Sequence, residues 1–286
     1  MTVDREKFFC FGQGYSAQVL ARRLAALGWT TSGTSRDGVG AAIPFERRHP
    51  LADPAGQMAG STHLLLSIPP DAEGDPVLAC HGGDIANLGS LRWLGYLSTT
   101  GVYGDHGGGW VDEATPTAPM VQLNQRSQWR VAAERAWLEW AAALGLPMHI
   151  FRLAGIYGPG RNALENLRQG KARRIVKPGH VFCRIHVEDL ATVLQASMAR
   201  PNPGAIYNVC DDEAAPPQDV IAHAAQLLGQ TPPPEIAFHE ADLSPMAASF
   251  YKHNKRVRND RIKEELGVQL QYPNYRAGLA ALLARG

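Results

Sequence analysis

The sequence predicts an α/β protein with a doubly wound, mostly parallel sheet and a smaller C-terminal lobe. Short apolar runs alternate with segments of helical period, which is the pattern of βαβ units. The runs are apolar on both faces, as expected for strands that helices cover on each side. A glycine-rich turn joins the first run to the first helical segment, as in folds that bind ligands at a sheet edge.

Five apolar runs are the predicted strands, and two helical segments stand out between them. The strands fall at residues 7–11, 30–34, 63–68, 93–98 and 148–153. The first helix spans residues 15–27, ends before Gly28 and has an apolar stripe of Ala17, Leu20, Leu24 and Leu27. The second spans residues 126–144, ends before Gly145 and has a stripe of Trp129, Ala133, Trp137, Trp140 and Leu144.

The composition of the chain changes after Gly160. Basic residues and glycines cluster at residues 161–179, and a last segment of helical pattern, residues 256–266, ends before Gly267. These changes predict a first domain at residues 1–160 and a C-terminal lobe at residues 161–286. Within that lobe, the chain is predicted to return to the sheet near residues 180–210.

The composition predicts a cytoplasmic protein without a metal site. Of its 286 residues, 45% are hydrophobic and 19% are charged, which is ordinary for a globular protein. A formal net charge of +1 gives no general attraction for nucleic acid or an anionic membrane. No apolar run is long enough for a signal peptide core or a membrane span. The four cysteines lack CxxC spacing and the histidines lack HExxH spacing, so we expect buried reduced thiols and no metal.

A glycine-rich turn follows the first strand. Gly12 permits a tight turn, Gly14 lets the backbone approach a pyrophosphate, and Ala17 lets the helix pack closely on the strand. The helix start offers N–H groups and a positive dipole end to phosphates. This order predicts a Rossmann-type dinucleotide site, and the alternative is a tight turn without a ligand. The residues predicted to contact the cofactor here are Gly12, Gln13, Gly14, Tyr15, Ser16 and Ala17.

The end of the second strand indicates which dinucleotide binds. An NAD site has Asp or Glu there, roughly twenty residues beyond the glycines, to bind the ribose 2′-hydroxyl. This chain has Thr34, Ser35 and Arg36, and small hydroxyls with an arginine suit the 2′-phosphate of NADP. Because Asp37 follows, NAD is kept as an alternative, as is an Arg36 that is only a solvated charge. The third strand end completes the predicted cofactor site with Ser67, Ile68 and Pro69.

Four further motifs follow the glycine turn in order. They are LSTTGVYG at residues 97–104, RLAGIYGPG at 152–160, RIHVEDLA at 184–191 and YNV at 207–209. Together the motifs resemble those of the extended short-chain dehydrogenase/reductases, the branch of NAD(P)-dependent epimerases and dehydratases, over nearly the whole chain. The glycine loop departs from that family's GxxGxxG, because Phe11 and Ala17 occupy the outer positions. The resemblance implies an NAD(P) cofactor, and a C-terminal substrate lobe that binds a small molecule.

The resemblance implies a catalytic hydroxyl at Thr99, four residues before Tyr103 of the VYG motif. A hydroxyl at the carboxyl end of a strand can bond a substrate oxygen, and Thr100 beside it is predicted to bind substrate. The alternative for Thr99 is a bond to its own backbone. Tyr103 and Tyr157 also lie in family motifs, so each is a candidate proton donor or a residue that packs and positions its neighbours.

The family's general base and its helper are missing from this chain. The family has a Tyr-x-x-x-Lys pair followed by a glutamate, and with Glu134 as that glutamate, Arg126 and Arg130 occupy the pair's positions. Arginine stays charged and has no lone pair, so Arg126 cannot act as the base. Arg130 can still bond the cofactor ribose, or both arginines can bind an anionic substrate group. The alternative is a solvated helix face on which Arg130 and Glu134 pair.

The C-terminal lobe carries cations that favour an anionic substrate, namely Arg161, Lys177 and Arg184. His186 and Asp189 belong to a motif that, in the family, ties this lobe to the sheet. The family also pairs the helix of residues 126–144 with its two-fold mate in a dimer. The three tryptophans of that helix therefore predict a homodimer. The alternative is that they only fill a thick core within one chain.

Two functions fit these observations. The first is an NADP-dependent oxidoreductase or epimerase that acts on a small anionic or sugar-like substrate. Thr99 would polarise the carbonyl, Arg126 and Arg130 would orient substrate and ribose, and a tyrosine or water would supply the proton. The second is a catalytically degenerate dinucleotide-binding or regulatory protein, which the missing Tyr/Lys pair favours. The intact glycine loop beside Thr99 favours the first.

Overall fold

The computed structural model describes residues 6–38 and 40–285, and these residues form strands and helices in alternation. The strands are β1 (Lys7–Phe11), β2 (Thr30–Ser35), β3 (Ile43–Pro44), β4 (His63–Leu66), β5 (Trp93–Thr99), β6 (Trp110–Val111), β7 (Met148–Leu153), β8 (Gly155–Tyr157), β9 (Arg174–Val176), β10 (Arg184–His186), β11 (Ile206–Val209), β12 (Glu235–Ala237) and β13 (Arg256–Val257). The helices are α1 (Tyr15–Ala26), α2 (Pro54–Met58), α3 (Pro76–Ala86), α4 (Gln125–Leu144), α5 (Ala163–Arg168), α6 (Val187–Ala199), α7 (Pro217–Leu227), α8 (Pro245–Phe250), α9 (Asp260–Glu264) and α10 (Tyr275–Arg285).

A seven-stranded sheet has the order β11-β7-β5-β4-β1-β2-β3. The strand β1 pairs in parallel with both β2 and β4, and β4 pairs in parallel with β5. The chain therefore builds the sheet outward in both directions from β1. The crevice outside the carboxyl ends of β1 and β4 is the switch point, where open α/β sheets bind ligands.

The predicted fold class, strands and first two helices are confirmed. The strands at residues 7–11 and 148–153 have the predicted bounds, and the other three differ at one end by one or two residues. The helix α1 ends at Ala26, and Gly28 has a φ of +85°, which a helix-ending glycine adopts at no steric cost. The helix α4 begins one residue earlier than predicted.

One predicted helix is wrong, and several helices, including α3, α6 and α10, were not predicted. Residues 256–266 form β13, which pairs with β6, and then the short helix α9. The buried side chain of Asn259 separates the two elements, because its amide donates to the carbonyl oxygen of Cys210 and to Asp212. This tertiary anchor overrides the local helical pattern. The last helix, α10, follows a segment rich in polar residues and was missed.

The chain divides into two compact units. The first comprises the residues up to Thr99, together with Gln125–Arg152 and Ala191–Tyr207, and the second comprises the remaining segments. The core of the first unit includes Phe9, Phe11, Leu64, Tyr96 and Trp137. The core of the second includes Tyr157, Leu164, Val220, Tyr275 and Leu279. The domain boundary placed at residue 160 stays a prediction.

Within the described residues, no helix is both long enough and apolar enough to cross a membrane. The helix α4 illustrates this, because charged residues recur along its length and its buried face is formed by residues such as Ala133 and Trp137. Trp137 is fully buried, and its ring meets that of Trp140 edge-on with centroids 5.3 Å apart. Two of the three tryptophans of α4 thus pack in or against the core of the first unit.

Candidate functional site

The glycine turn has a backbone that only glycine adopts readily. Gly12 has a φ of +93°, and a β-carbon there would lie 2.8 Å from Cγ1 of Ile68. The turn therefore lies directly against the residues that follow β4. Gly14 is exposed, and a β-carbon there would meet no atom within 4 Å. This open space is where the backbone can be approached by a pyrophosphate.

Thr34 holds the glycine turn from β2. Its hydroxyl accepts a hydrogen bond from the Gly12 N–H at 3.0 Å, and its carbonyl oxygen accepts one from the Gln13 N–H at 2.7 Å. The residue is fully buried, so its visible role is to support the turn. Direct contact of Thr34 with a cofactor stays a prediction.

The helix α1 starts immediately after the turn. Gly14 is its N-cap and supplies no side chain, and the first turn, which is fully described, contains no acidic residue. No negatively charged side chain in this turn would therefore repel an anion. Ala17 is fully buried where the helix meets the sheet. This geometry suits a phosphate at the helix N-terminus.

The ends of β2 and β4 flank the glycine turn. The hydroxyl of Ser35 is buried without a hydrogen-bond partner among the described residues, and Arg36 and Asp37 are exposed. Beyond β4, Ser67 and Ile68 are half-buried and Pro69 is exposed. The Ser67 N–H donates to the carbonyl oxygen of Phe11 at 2.9 Å, which keeps this strand end beside the turn. All of the residues predicted to bind the cofactor near the turn are thus at one sheet edge.

Thr99 is the last residue of β5 and is half-buried. Because β5 pairs in parallel with β4, and β4 with β1, Thr99 lies at the same sheet edge as Gly12 and Ser67. Its neighbour Thr100 starts the second unit, and its hydroxyl donates to the carbonyl oxygen of Leu153 at 3.4 Å.

The two arginines of the RSQWR segment occupy different environments. Arg126 is exposed, and Arg130 is half-buried. The Nη1 atom of Arg130 donates to the carbonyl oxygen of Leu97 and to the hydroxyl of Tyr96 at 3.1 Å. Its guanidinium carbon also lies 5.4 Å from the centroid of the Tyr96 ring. Arg130 therefore links α4 to the carboxyl end of β5, two residues before Thr99.

Glu134 does not pair with Arg130 on a solvated helix face, so that alternative is wrong. The carboxylate is buried and forms an ion pair of 2.8 Å with Arg152 of β7, and the Ser98 hydroxyl also donates to it. This buried network was not predicted. An arginine inside the apolar strand MHIFRL was the available signal, because a buried charge requires a partner.

Asp75 is a second buried acid that was not predicted. Its Oδ1 atom caps α3 by accepting hydrogen bonds from Val77 N–H at 2.9 Å and Leu78 N–H at 3.0 Å. Burial raises the pKa of Asp75. The sequence Asp75-Pro76 after a strand was the available signal, because proline favours the first helical position and aspartate the N-cap.

The two candidate tyrosines are buried in the second unit. Tyr103 is fully buried and donates its hydroxyl hydrogen to Oδ1 of Asn208 at 2.7 Å. The hydroxyl of Tyr157 lies 3.4 Å from the carbonyl oxygen of Asn274, and burial raises the pKa of this tyrosine. A β-carbon at Gly278 would lie 2.1 Å from the Tyr157 oxygen, so packing there is tight. These contacts position the rings, and proton donation by either tyrosine stays a prediction.

His186 and Asp189 make structural contacts within the second unit. The two carboxylate oxygens of Asp189 accept hydrogen bonds from the N–H groups of Gln271 at 2.8 Å and Tyr272 at 2.9 Å. His186 is fully buried, and its Nδ1 atom accepts a bond from the Glu188 N–H at 3.2 Å. These bonds organise the start of α6 and the segment before α10.

The three candidate cations of the second unit differ in exposure. Arg161 is exposed, whereas Lys177 and Arg184 are half-buried. Lys177 donates to the carbonyl oxygen of Tyr251, and Arg184 donates to those of Phe182 and Ala215. The described residues contain no group of three or more His, Cys, Asp or Glu side chains that could hold a metal ion.

These features define an α/β protein with a dinucleotide-type glycine turn at the switch point of a parallel sheet. The model of the NAD dependent epimerase/dehydratase family matches residues 86–210. This match includes the four motifs between residues 97 and 209 and confirms the resemblance to the epimerase/dehydratase family.

Two relatives match almost the full length of the chain. Protein YeeZ of Escherichia coli (strain K12) is 29% identical, over 94% of this chain and 97% of that protein. A conserved protein of unknown function from Silicibacter pomeroyi DSS has a solved structure and is 56% identical. Its TM-score is 0.87, with 98% of this chain and 99% of that chain covered.

Solved structures of enzymes with bound dinucleotides share the fold. The dTDP-glucose 4,6-dehydratase of Bacillus anthracis str. Ames, in complex with NAD, has a TM-score of 0.76 at 16% identity and covers 98% of this chain and 96% of that chain. RMD from Pseudomonas aeruginosa, complexed with NADPH, has a TM-score of 0.73 at 16% identity and covers 98% of each chain. Both NAD and NADPH occur among these structures, whose likeness to this chain is one of fold.

Proposed function

We propose that this protein is an NADP-dependent oxidoreductase or epimerase that acts on a small anionic or sugar-like substrate. One observation carries the proposal: the glycine turn and Thr99 share the ligand-binding edge of the sheet. The turn has the φ angle, the close strand contact and the uncapped helix start that a pyrophosphate needs. The solved dehydratase with NAD and RMD with NADPH support a nicotinamide cofactor.

NADP is proposed over NAD because of the end of β2. No carboxylate stands at the last residue of β2, and the Ser35 hydroxyl there is buried without a described partner. The exposed guanidinium of Arg36 follows and can bind a 2′-phosphate in a bidentate manner. NAD has no 2′-phosphate on its adenosine ribose, so it would leave the Ser35 hydroxyl and the Arg36 guanidinium without a phosphate to bind.

The cofactor would supply or accept the hydride, and the residues of this chain would position it and polarise the substrate. The Thr99 hydroxyl would bond the substrate oxygen at the edge of β5. Arg130 supports the same strand end through Leu97 and Tyr96, and its remaining hydrogens would bond the ribose. Arg126 is exposed at the start of α4 and would attract an anionic substrate group. Thr100, Tyr157, Arg161 and Arg184 are the proposed substrate contacts.

The test of this function is substrate-dependent oxidation of NADPH across a panel of small carbonyl acids and sugar derivatives. Thr99→Ala should reduce kcat/KM roughly 100-fold, because removing one preorganised donor to a reacting oxygen has an effect of that size. NADPH binding should be unchanged in this variant. Thr231→Ala, at an exposed position shortly after α7, is the matched control. Equal activity of Thr99→Ala and the control would remove Thr99 from the mechanism.

A catalytically degenerate dinucleotide-binding protein is the second candidate. It is favoured by the absence of an ionisable base at residues 126 and 130 and by the buried state of Tyr103 and Tyr157. This candidate predicts tight NADPH binding without turnover on the whole panel. One reproducible reaction that is lost in Thr99→Ala would exclude it.

We also propose that the protein is a cytoplasmic homodimer that pairs through α4. Val131 is a half-buried apolar residue on this helix, next to the exposed Ala132. Sedimentation should give twice the chain mass of 31.0 kDa, and Val131→Glu should shift it toward the single-chain mass. Val121→Glu, at a residue that is 91% exposed just before α4, is the control and should leave the dimer intact. A single-chain mass for the native protein would contradict the dimer.

A further inference from the structure

A cavity lies at the amino ends of β1, β2, β4 and β5, whereas the glycine turn follows the carboxyl end of β1. Because these strands are parallel, their amino ends meet at one edge of the sheet. The cavity has a volume of about 410 Å³, within the range of roughly 300–1,000 Å³ that is typical of small-molecule sites. All of its lining residues belong to the first unit, and those at the strand starts are Glu6, Trp29, His63 and Arg92.

The walls of the cavity are mainly apolar and partly aromatic. Leu24 of α1 and Met198 of α6 are buried, and Trp29 is half-buried. Leu27 is 68% exposed and lines the side that faces solvent. The ring centroid of His63 lies 4.7 Å from that of Trp29. Aromatic and aliphatic walls of this kind suit the flat body of an aromatic molecule.

The hydroxyl of Thr62, beside the cavity, has four polar neighbours but only one proton. Its Oγ1 atom lies 2.9 Å from Oε2 of Glu6 and 3.1 Å from the carbonyl oxygen of Lys7. It accepts a hydrogen bond from the Lys7 N–H at 3.0 Å, and its fourth neighbour is Nδ1 of His63 at 2.9 Å. Glu6 is paired with Arg92 and is therefore a carboxylate. The carboxylate and the carbonyl can only accept, so the Thr62 proton is directed to them.

These contacts determine the tautomer of His63. If Nδ1 lacked a hydrogen, it would take the Thr62 proton, and Oγ1 of Thr62 would face the Glu6 carboxylate at 2.9 Å without a proton between them. The same Glu6 oxygen lies 3.5 Å from Nδ1, which also favours an N–H there. Burial lowers the pKa of His63 to about 4, so the ring is neutral at pH 7. Its one hydrogen is therefore on Nδ1, and Nε2 has only a lone pair.

The Nε2 atom of His63 is an acceptor without a donor. Among the described residues, no N–H or O–H group forms a hydrogen bond with this atom, since the polar contacts of the ring are those of Nδ1. His63 is 5% exposed and lines the cavity, so the cavity is the side from which a donor can approach. A nearly buried acceptor without a partner carries a cost in free energy. A hydroxyl or N–H group of a ligand would remove that cost.

The charged groups at the cavity neutralise each other. Glu6 and Arg92 form an ion pair, and no other Asp, Glu, Lys or Arg is among the residues that line the cavity. Because His63 is neutral at pH 7, an ionic ligand would find no uncompensated charge to pair with. The cavity therefore favours a neutral ligand.

We propose that this cavity is a second ligand site, which binds a small neutral aromatic molecule with a hydroxyl or N–H donor. The donor bonds Nε2 of His63, and the aromatic body lies against Trp29, Leu24 and Met198. The glycine turn is at the other end of α1, a helix of 12 residues and therefore about 18 Å long. The ligand does not compete with a dinucleotide, so this site is independent of the proposed function.

The experiment uses the full-length protein with nitrogen-15-labelled histidine and two probes, 2-naphthol and 2-methoxynaphthalene. The two molecules have the same fused rings, but only 2-naphthol has a donor. 2-Naphthol should bind at least tenfold more tightly, because the methoxy compound would cover Nε2 without bonding it. The NMR signal of His63 Nε2, assigned with His63→Gln, should be that of a nitrogen without hydrogen in the free protein. It should move when 2-naphthol binds, and NADPH should not displace this probe.

Two variants and two controls sharpen the test. His63→Phe keeps a ring but removes the acceptor, so it should bind both probes equally, and Trp29→Leu should weaken the binding of both. Trp110→Leu, at a tryptophan that is 55% exposed in the second unit, should change neither affinity. The Nε2 atom of His149 already accepts the Asn202 N–H at 2.9 Å, so its signal should not move when 2-naphthol is added.

Four outcomes would overturn the second ligand site. They are a hydrogen on His63 Nε2 in the free protein, equal affinity of the native protein for the two probes, a His63 signal that 2-naphthol does not move, and displacement of 2-naphthol by NADPH. All four are measured on the unmodified protein, so they stand even if a variant folds poorly. Absent NADPH binding with 2-naphthol bound beside His63 would contradict the proposed function and leave this site intact.

Discussion

Arg36 is the residue on which the proposed choice of NADP over NAD depends. Its exposed side chain follows β2, beside the buried hydroxyl of Ser35 and at the sheet edge that carries the glycine turn. Arg36→Ala should weaken NADPH binding roughly 10- to 100-fold, because a hydrogen bond to a charged group contributes about 1.5–3 kcal/mol. NADH binding should not change, since NADH has no 2′-phosphate. Fluorescence titration with both cofactors measures the two effects.

The control for Arg36 is Arg22→Ala, which removes another exposed arginine, from α1. This control separates the loss of a specific contact from a general loss of positive charge. Salt screens the general attraction of exposed charges for the cofactor. If wild type binds NADH as tightly as NADPH, or if both variants weaken NADPH equally, Arg36 does not read the 2′-phosphate.

Among single residues, the sequence predicted the roles that depend on residues adjacent in the chain, and it could not predict contacts with residues of other elements. The role of Gly12 follows from its own backbone angle and its place between a strand and a helix. The partners of Arg130 and Glu134 could not be predicted, because Leu97 and Arg152 come from other elements. Thr34 was predicted at the right strand end, yet its hydroxyl bonds the Gly12 N–H, a contact that requires the sheet register.

At the element scale, α4 is joined to two strands by polar groups as well as by apolar packing. Arg130 bonds the end of β5, and four residues later Glu134 bonds Ser98 of β5 and Arg152 of β7. A one-turn spacing places both side chains on the sheet-facing side of the helix. The segment that the resemblance aligns with the family's catalytic pair thus attaches the helix to the strand that ends at Thr99.

The buried ion pair of Glu134 and Arg152 predicts a large difference between two acids of one helix. Glu134→Ala should lower the free energy of unfolding by about 3–5 kcal/mol, because it leaves a buried arginine without a counter-ion. Glu139→Ala, which breaks the exposed pair with Arg135, should leave the free energy of unfolding nearly unchanged. Urea unfolding of both variants measures the contrast.

The double variant Glu134→Leu with Arg152→Met completes this test. Replacing both charges by apolar groups removes the desolvation cost, so it should be more stable than Glu134→Ala. If Glu134→Ala lowers the free energy of unfolding as little as Glu139→Ala does, then water reaches Arg152 and the ion-pair network does not hold α4 on the sheet.

The elements themselves were predictable to different degrees for physical reasons. The strands β1, β4, β5 and β7 are buried on both faces, so their apolar runs are visible without tertiary information. The segment 256–266 has the composition of a helix, but Asn259 is buried and bonded to Cys210 and Asp212, far away in sequence. Local pattern cannot reveal such an anchor, and the same limit concealed the contact of Asp211 with Arg184.

At the scale of the whole molecule, buried histidines predict acid sensitivity. His149 is fully buried, and its Nε2 atom accepts a hydrogen bond from the Asn202 N–H at 2.9 Å. Protonation of that nitrogen would break the bond. Burial lowers the pKa of His149 to about 4, and the same cause lowers the pKa values of His63 and His180 to about 4.

The sign of the effect follows from the lowered pKa of His149. The unfolded chain takes up a proton near the ordinary histidine pKa of about 6.5, and the folded protein does so only near pH 4. The stability contribution of neutral His149 is therefore complete above about pH 6.5 and is lost as pH falls toward 4. Asp211 acts oppositely, since its raised pKa keeps it protonated in the folded state over this window. A substitution of His149 separates its contribution from the total pH dependence of stability.

His149→Gln should remove up to about 1.4 kcal/mol per pH unit from the pH dependence of global unfolding between pH 6.5 and pH 4. Glutamine keeps an amide oxygen that can accept the Asn202 N–H, but it has no group that titrates in this window. His239→Gln, at an exposed histidine, is the matched control for the substitution itself. Urea unfolding of wild type and both variants at half-unit pH steps gives the slopes. Parallel curves for wild type and His149→Gln would mean that the folded protein protonates His149 as readily as the unfolded chain does.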